Sequence, residues 1–353
     1  MLLTSEASPN MVEKIEKALS VIGNIETLGG IAGFTILCAL FCCSIISFRK
    51  RTNKISLQQL CVFKRNKKYI PELFTELNCN LENLRYFVFS SRWKRRIIRE
   101  YNHQFRNTQG KEIAKIISND LLTRRLSYRT SVNDLMTAID QRRKLIEQLN
   151  HDREENRRKY GEKFFFIREY TYFIPAKLSL LYTRCELLNA KNIIIVGSAG
   201  NGKTNLLCNL VENIISNNAP CLLINSRDVD CDCFDYVVNK LVPEKLWQIK
   251  KVYLWVISCL LALSNKYFFV VIDAINENDS EVFASSVGKM IDQLSKYKRI
   301  KVICSCRSEY FDVRHKKYFE KCAVIPYVFP LDQVDYDDRA KEKMMFLYQR
   351  HYN

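Results

Sequence analysis

Residues 197–204 of this chain read Gly197-Ser198-Ala199-Gly200-Asn201-Gly202-Lys203-Thr204 and fit the pattern G-x-x-x-x-G-K-[ST] at every position. The run before them, residues 192–196 (NIIIV), is short, apolar and β-branched, and predicts a buried strand. The run after them, residues 204–215, repeats apolar side chains at helical spacing. A glycine-rich loop between a strand and a helix is typical of a phosphate-binding loop, because its backbone N–H groups are free to surround phosphate oxygens. A chance glycine turn is the alternative, and the register of strand, loop and helix argues against it.

The loop also predicts which groups contact a nucleotide and its metal ion. All eight residues 197–204 are candidate phosphate-binding residues, with the dipole of the following helix adding positive potential. The Lys203 ammonium is expected to reach the β- and γ-phosphates, and the Thr204 hydroxyl to ligate Mg²⁺. We therefore expect this chain to bind ATP or GTP together with Mg²⁺.

Four more apolar runs predict strands at residues 221–225, 268–273, 300–305 and 323–329. Helical patterns lie between them, at residues 245–263 and 281–298. Strands that alternate with helices indicate an α/β fold with a parallel sheet and helices on both faces. The sequence thus predicts a P-loop NTPase domain over residues 161–336.

Three polar side chains follow predicted strands, on the side of the sheet where open α/β folds bind ligands. Asp273 ends its strand and is the second candidate Mg²⁺ ligand, beside Thr204. Glu277 is a candidate catalytic residue that orients or deprotonates the attacking water, and a helix-start carboxylate is its alternative role. Arg307 is a candidate for stabilising charge on the γ-phosphate, and a surface salt bridge is its alternative.

The segments GSAGNGKTNLL (197–207), VVIDAINE (270–277) and VICSCRSEYF (302–311) together resemble NACHT-type STAND P-loop NTPases, particularly the bacterial ones. The resemblance covers about residues 163–340. Asp273, Ala274 and Glu277 match the acidic motif of that family, whereas Asn276 replaces one acid of its acidic pair. The resemblance implies a nucleotide-dependent switch that is closed with diphosphate and oligomeric with triphosphate, in many bacterial members as a defence against phage.

STAND proteins usually continue into a helical bundle, a winged helix and a repeat sensor. Here a predicted helix at residues 337–352 is the start of a C-terminal helical extension, residues 337–353, which reads as truncated. We therefore expect a truncated or split gene, a minimal form, or a sensor chain supplied in trans.

Residues 27–48 (TLGGIAGFTILCALFCCSIISF) contain no charge. At about 1.5 Å per residue they would extend about 33 Å as a helix, enough to cross a bilayer core of about 30 Å. Residues 1–26 are predicted to form an extracytoplasmic helix, because the basic run from Arg49 to Arg51 places the following residues inside. The expected location is the cell inner membrane, single-pass, with the N-terminus outside and the NTPase domain cytoplasmic. A buried soluble helix is the alternative for this segment.

The net charge of +17 is concentrated in residues 49–160, which carry +15 and read as a mostly helical cytoplasmic region. Anionic headgroups are the expected partners of residues 49–68. The cluster from Arg92 to Arg99, with Trp93, is interpreted as a solvated helix face, and nucleic acid is not an expected partner. The 14 cysteines lack the spacing of a zinc site and are expected to be reduced.

The sequence therefore predicts a membrane-anchored NTPase that acts as a nucleotide-dependent oligomerisation switch and forms homo-oligomers. Two alternatives remain open at this point. The first is a conventional membrane-tethered ATPase that drives remodelling or transport. The second is a nucleotide-binding scaffold without hydrolysis.

Overall fold

The computed structural model describes residues 30–71, 79–88, 90–151, 153–200, 202–242, 244–278, 280 and 282–326. They form an α/β fold with a five-stranded parallel sheet, which confirms the predicted fold class at this level. The helices predicted within residues 1–26 and at residues 337–352 lie outside the described residues.

The sheet is built from the five runs that the sequence marks as strands. These are β1 (Asn192–Gly197), β2 (Cys221–Asn225), β3 (Phe268–Asp273), β4 (Ile300–Arg307) and β5 (Ala323–Pro326). Their order across the sheet is β2-β3-β4-β1-β5, and each pair of neighbours is parallel. All strands therefore end at one edge, here called the carboxyl edge, and start at the opposite amino edge. Residues 327–329, predicted to lengthen β5, lie outside the described residues.

The helices among the described residues both precede the sheet and connect its strands. They are α1 (Gly30–Arg65), α2 (Cys79–Val88), α3 (Ser90–His103), α4 (Thr108–Ile117), α5 (Asp120–Thr123), α6 (Val132–His151), α7 (Arg153–Tyr160), α8 (Lys163–Thr171), α9 (Ile174–Asn189), α10 (Lys203–Ser216), α11 (Cys233–Leu241), α12 (Lys250–Leu263), α13 (Phe283–Leu294) and α14 (Ser308–Tyr310). The predicted helix 245–263 is divided into a 3₁₀ turn, Glu244–Ile249, and α12.

Apolar side chains of the strands alternate between two cores, one on each face of the sheet. Ile193 and Leu223 belong to a core that continues into α2–α10. Ile194 and Leu222 belong to a core covered by α11, α12 and α13. Helices cover both faces of the sheet, so side chains that point to either face are buried, and the strands are apolar along nearly their whole length. Burial of one such side chain stabilises the fold by about 1.5–3 kcal/mol.

Helix α1 runs beside β2, a strand at the edge of the sheet. The Asn53 side chain accepts a hydrogen bond from the Cys221 N–H at 2.9 Å and donates one to the Ala219 carbonyl at 3.3 Å. Ser56 Oγ donates to the Cys221 carbonyl and accepts from the Leu223 N–H, both at 2.8 Å. An open edge strand would leave these backbone groups available to another chain. Side chains of α1 therefore close this edge in place of a further strand.

The last turn of α1 packs on α10, and the residues that follow α1 reach the carboxyl edge. Lys64 forms an ion pair of 2.7 Å with Glu212 of α10. The Ile70 N–H donates a buried hydrogen bond of 2.7 Å to Asn205 Oδ1, one residue after Thr204. The basic segment that follows residue 48 thus packs on the α/β unit. The domain boundary predicted between residues 160 and 161 stays a prediction.

Partway along its length α1 meets the α/β unit at the amino edge, so the last residue of the predicted span, Phe48, packs on protein. The Phe48 side chain is buried and packs edge-on against Phe268, the first residue of β3, with ring centroids 5.2 Å apart. Within the described residues, no helix has the length and apolar character needed to span a membrane. Residues 27–29 of the predicted span lie outside the part of the chain that the structure describes.

The helical region between α1 and β1 has a charged side chain in its core. Arg142 is 1% exposed, and its guanidinium donates to the carbonyls of Tyr101, Leu121 and Arg124 at 2.9, 3.0 and 2.9 Å. The guanidinium carbon lies 3.6 Å from the centroid of the Tyr101 ring. Burial lowers the pKa of Arg142 to about 10. A single cation therefore ties α3 and the turn around α5 to helix α6.

Candidate functional site

The loop of residues 198–202 joins the end of β1 to the start of α10, as the sequence predicts. Ser198, Ala199 and Gly200 are exposed, and Asn201 lies outside the described residues. Gly200 and Gly202 have φ angles of +77° and +75°, in the left-handed region that glycine adopts without strain. These two glycines therefore allow the tight path of the loop into the helix.

The Lys203 side chain folds back over the loop. Its ammonium donates to the backbone carbonyls of Gly197 and Ser198 at 2.7 and 2.6 Å. Burial, and to a lesser extent the nearby Arg307, lower the pKa of Lys203. Its hydrogen-bond partners are neutral carbonyls, while the nearby carboxylates of Asp273 and Glu309 partly offset the lowering of its pKa. An ammonium that is bonded only to neutral carbonyls remains available to an anion at the loop.

Thr204 and Asp273 are brought together from different elements. Thr204 Oγ1 donates a hydrogen bond of 2.8 Å to Asp273 Oδ2. The second carboxylate oxygen, Oδ1, accepts from Ser305 Oγ at 2.7 Å. The first turn of α10 and the carboxyl ends of β3 and β4 thus meet at one carboxylate.

Asp273 is a buried carboxylate, 2% exposed. Burial raises its pKa, and the hydrogen bonds from Ser305 and Thr204 partly offset that effect. None of the described cationic side chains forms an ion pair with it at 4.0 Å or less. Taking a carboxylate out of water without a counter-charge is unfavourable, so the environment favours a cation beside Asp273.

Glu277 lies in a cluster of three cations. Its Oε1 is 3.5 Å from Arg307 Nη2, and its Oε2 is 3.0 Å from Arg227 Nε and 3.7 Å from Lys68 Nζ. Oε2 has no hydrogen-bond partner, so its contact with Arg227 is an ion pair and not a hydrogen bond. Arg227, Glu277 and Arg307 line an open cleft of about 730 Å³. The side chain is therefore held by charge at the rim of the carboxyl edge.

The turn after β3 sets the position of Glu277. Ala274 has a φ of +53°, an unfavourable value for a residue with a Cβ atom. Ser305 Oγ accepts from its N–H at 2.8 Å, and Ser226 Oγ donates to its carbonyl at 2.6 Å. Asn276 Oδ1 accepts from the Arg307 N–H at 2.9 Å. These bonds hold a strained backbone, and a small residue at position 274 keeps its cost low.

The arrangement fits a nucleotide with Mg²⁺. A hydroxyl and a carboxylate oxygen, Thr204 Oγ1 and Asp273 Oδ2, are ligands of the kind that Mg²⁺ prefers, with phosphates and water completing the shell. The register pairs Gly197 of β1 with Arg307, so this arginine ends the strand that lies beside the start of the loop. Among the described residues, no group of three or more His, Cys, Asp or Glu side chains is placed to hold a metal ion.

Three side chains of the site are absent from the sequence predictions. Ser305 lies two residues before Arg307, and its place near the carboxyl end of a predicted strand is the sequence signal that could have indicated it. Arg227 follows β2 at the same carboxyl edge, where ligand-binding residues gather. Lys68 comes from the turn after α1, more than 200 residues before Glu277, and no local pattern indicates it.

None of the protein-family models matches this chain, and none of the curated proteins does.

Proposed function

We propose that this chain is a P-loop NTPase of the NACHT type that uses ATP or GTP with Mg²⁺ to control its own oligomerisation. The observation that carries the proposal is the buried Asp273 carboxylate bonded to Thr204 directly beside the phosphate-binding loop. The strained turn that leads to Glu277 and the pairing of Arg307 with Gly197 support it.

The residues of the site have distinct roles in this proposal. The backbone N–H groups of residues 198–203 and the Lys203 ammonium would hold the phosphates. Thr204 and Asp273 would hold Mg²⁺, which neutralises phosphate charge when bound. Glu277 orients and deprotonates the attacking water, and Arg307 stabilises charge that develops on the γ-phosphate. Bound triphosphate competes with Glu277 for Arg307, so nucleotide state changes this ion pair.

The membrane part of the proposal rests on the sequence. The apolar segment 27–48 anchors the chain in the cell inner membrane as one transmembrane helix, with the NTPase domain cytoplasmic. Its last residue, Phe48, packs on the α/β unit and so lies outside the bilayer. The switch acts by clustering these helices in a homo-oligomer, and a sensor chain supplied in trans triggers it. The resemblance to bacterial NACHT proteins supports a role in antiviral defence or signalling, and nucleic acid is not a proposed partner.

The test uses the full-length chain in detergent micelles. Binding and hydrolysis of ATP and GTP are measured with Mg²⁺, and particle mass is followed by mass photometry. Lys203→Ala removes the phosphate-binding ammonium, and Glu277→Gln retains nucleotide while slowing its hydrolysis. Lys289→Ala, at an exposed lysine of α13, is the matched control.

The switch is supported if assembly requires triphosphate, persists in Glu277→Gln and is lost in Lys203→Ala. Fast turnover by a particle of constant mass would replace it with a conventional ATPase. Binding without turnover or assembly would replace it with a scaffold, and absence of nucleotide binding would reject the whole proposal.

A further inference from the structure

A second cavity, of about 550 Å³, lies at the amino edge of the sheet. It is formed by α2, α3, the end of α10 and the loops that precede β2 and β3. Its polar and aromatic lining includes Arg85, Arg92, Trp93, Asn217, Lys266 and Tyr267. Strands of five to eight residues separate it from the carboxyl edge by about 17 Å or more, so it is distinct from the nucleotide site.

The charge of this cavity is one-sided. Of the described residues that line it, three are cationic and none is acidic. Lys266 Nζ and Arg49 Nη1 both donate to the Asn218 carbonyl, at 2.7 and 3.5 Å, so two cations share one neutral acceptor. Burial and the neighbouring Arg49 lower the pKa of Lys266. Cations gathered without a carboxylate create a positive potential that favours an anion.

The walls of the cavity add amides and aromatic rings to this charge. Asn213 and Asn217 supply side-chain amides, which can donate to an oxyanion. Trp93 and Tyr267 are partly buried and form an apolar wall with Phe269. Guanidinium, ammonium and amide N–H groups are the donors that recognise phosphate, whereas the rings suit an apolar or aromatic body.

We propose that this amino-edge cavity binds a phosphate-bearing anion. It gives a function to Arg92 and Trp93, which the sequence alone presents as a solvated helix face. The anion is held by the three cations that line the cavity, Arg85, Arg92 and Lys266, with Trp93 and Tyr267 beside the group that carries the phosphate.

A lipid headgroup is the source favoured by position, and this point rests on the proposed membrane anchor. Arg49, which shares an acceptor with Lys266, is the first charged residue after the apolar segment 27–48. Helix α1 enters the unit at this same edge through Phe48. With the part of segment 27–48 that precedes Phe48 in the bilayer, the cavity faces the headgroups and the nucleotide site faces the cytosol.

The experiment measures binding to the full-length chain in maltoside micelles by isothermal titration calorimetry. The probes are dihexanoyl-phosphatidylglycerol, dihexanoyl-phosphatidylcholine, inorganic phosphate and a 12-nucleotide single-stranded DNA. The variants are Arg92→Gln, Lys266→Gln and their combination. Arg129→Gln and Lys289→Gln, at exposed cations far from the cavity in sequence, are the matched controls, and thermal melts confirm that each variant is folded.

We expect phosphatidylglycerol to bind more tightly than phosphatidylcholine. Each cavity variant should weaken binding about fivefold and the pair about 25-fold, with the controls unchanged. Variant-sensitive binding of inorganic phosphate as tight as that of the lipid also supports the cavity and identifies a soluble source.

Absence of binding by phosphatidylglycerol and phosphate, or an equal loss in the controls, would overturn the proposal. Variant-sensitive binding of the DNA alone would overturn it in favour of nucleic acid. ATP binding by the same samples separates the two proposals: cavity variants should keep it and Lys203→Ala should lose it. A chain that binds the headgroup but not ATP rejects the NTPase and leaves the cavity in place.

Discussion

The Thr204 hydroxyl donates a 2.8 Å hydrogen bond to Asp273 Oδ2, joining the start of a helix to the end of a strand 69 residues later. The partner oxygen of the carboxylate is bonded to Ser305 at 2.7 Å. Asp273 is therefore fixed from both sides before any cation is bound. A preorganised carboxylate of this kind binds a metal ion without further ordering of the side chain.

We expect Ser305→Ala to weaken the Mg²⁺-dependent part of nucleotide affinity about 10- to 100-fold, as loss of a partner that orients a metal ligand does. Asp273→Asn should remove that dependence altogether, because the carboxylate charge is lost. The measurement is nucleotide affinity with Mg²⁺ and with EDTA. Ser285→Ala is the control, since that hydroxyl donates a surface hydrogen bond of 2.9 Å to the Val282 carbonyl, one residue before its own helix. Equal losses with and without Mg²⁺ would contradict the assignment.

Glu277 and Arg227 give a second prediction, because their side chains lie 3.0 Å apart in the cleft. Glu277→Gln should lower turnover about 10²- to 10⁴-fold, the range for loss of a general base, with nucleotide affinity retained. Arg227→Ala leaves the carboxylate less well positioned and should lower turnover about tenfold. Steady-state turnover and nucleotide affinity are measured together, with Arg129→Ala as the exposed control. An Arg227→Ala chain with full turnover would show that the ion pair is only structural.

The strands and the loop follow from local sequence because each depends on a short continuous pattern. The run 192–196 is apolar and β-branched, and the structure makes it the core of β1. The run 268–273 is buried along its whole length in β3. In a parallel sheet covered on both faces every strand residue is buried, so the pattern is continuous rather than alternating.

The remaining features depend on contacts between distant parts of the chain. Asn53 and Ser56 read as polar residues of a basic helix, but they bond the edge strand β2 more than 160 residues later. Lys68 reaches Glu277 because α1 runs along that strand to the carboxyl edge. The distribution of charge shows that residues 49–160 are basic, but it does not show on which part of the protein they pack. Long-range packing decides that, and one sequence contains no periodic signal for it.

Arg142 gives a stability prediction. Arg142→Ala removes the donors to the buried Tyr101 carbonyl and to the part-buried carbonyls of Leu121 and Arg124, and leaves these groups without that partner. Each such group costs about 1–3 kcal/mol, so we expect the free energy of unfolding to fall by about 3 kcal/mol or more. Urea unfolding followed by tryptophan fluorescence is the measurement.

The neighbouring Arg143 is the matched control, because it pairs with Asp140 on the same helix at the surface. Arg143→Ala should change the free energy of unfolding by less than about 1 kcal/mol. Similar losses for both variants would mean that burial of Arg142 is not what stabilises the helical region.

Lys301 predicts how stability depends on pH. The side chain is 3% exposed, and its ammonium donates to the Phe87 carbonyl at 2.8 Å. Burial, followed by the nearby Arg299, lowers its pKa to about 7, whereas an unfolded lysine has a pKa of about 10.4. Between these two values the unfolded chain binds one more proton than the folded chain, so folding becomes more favourable as the pH rises.

We therefore expect the free energy of unfolding of the wild type to rise relative to that of Lys301→Met between pH 7 and pH 10. The slope should approach about 1.4 kcal/mol per pH unit, and the difference should be constant below pH 6. Urea unfolding at pH 6, 7, 8 and 9 is the measurement, with Lys298→Met, at an exposed lysine, as a control that should follow the wild type. Parallel curves for wild type and Lys301→Met would show that Lys301 keeps an ordinary pKa in the folded chain, because a group that titrates alike in both states adds no pH dependence.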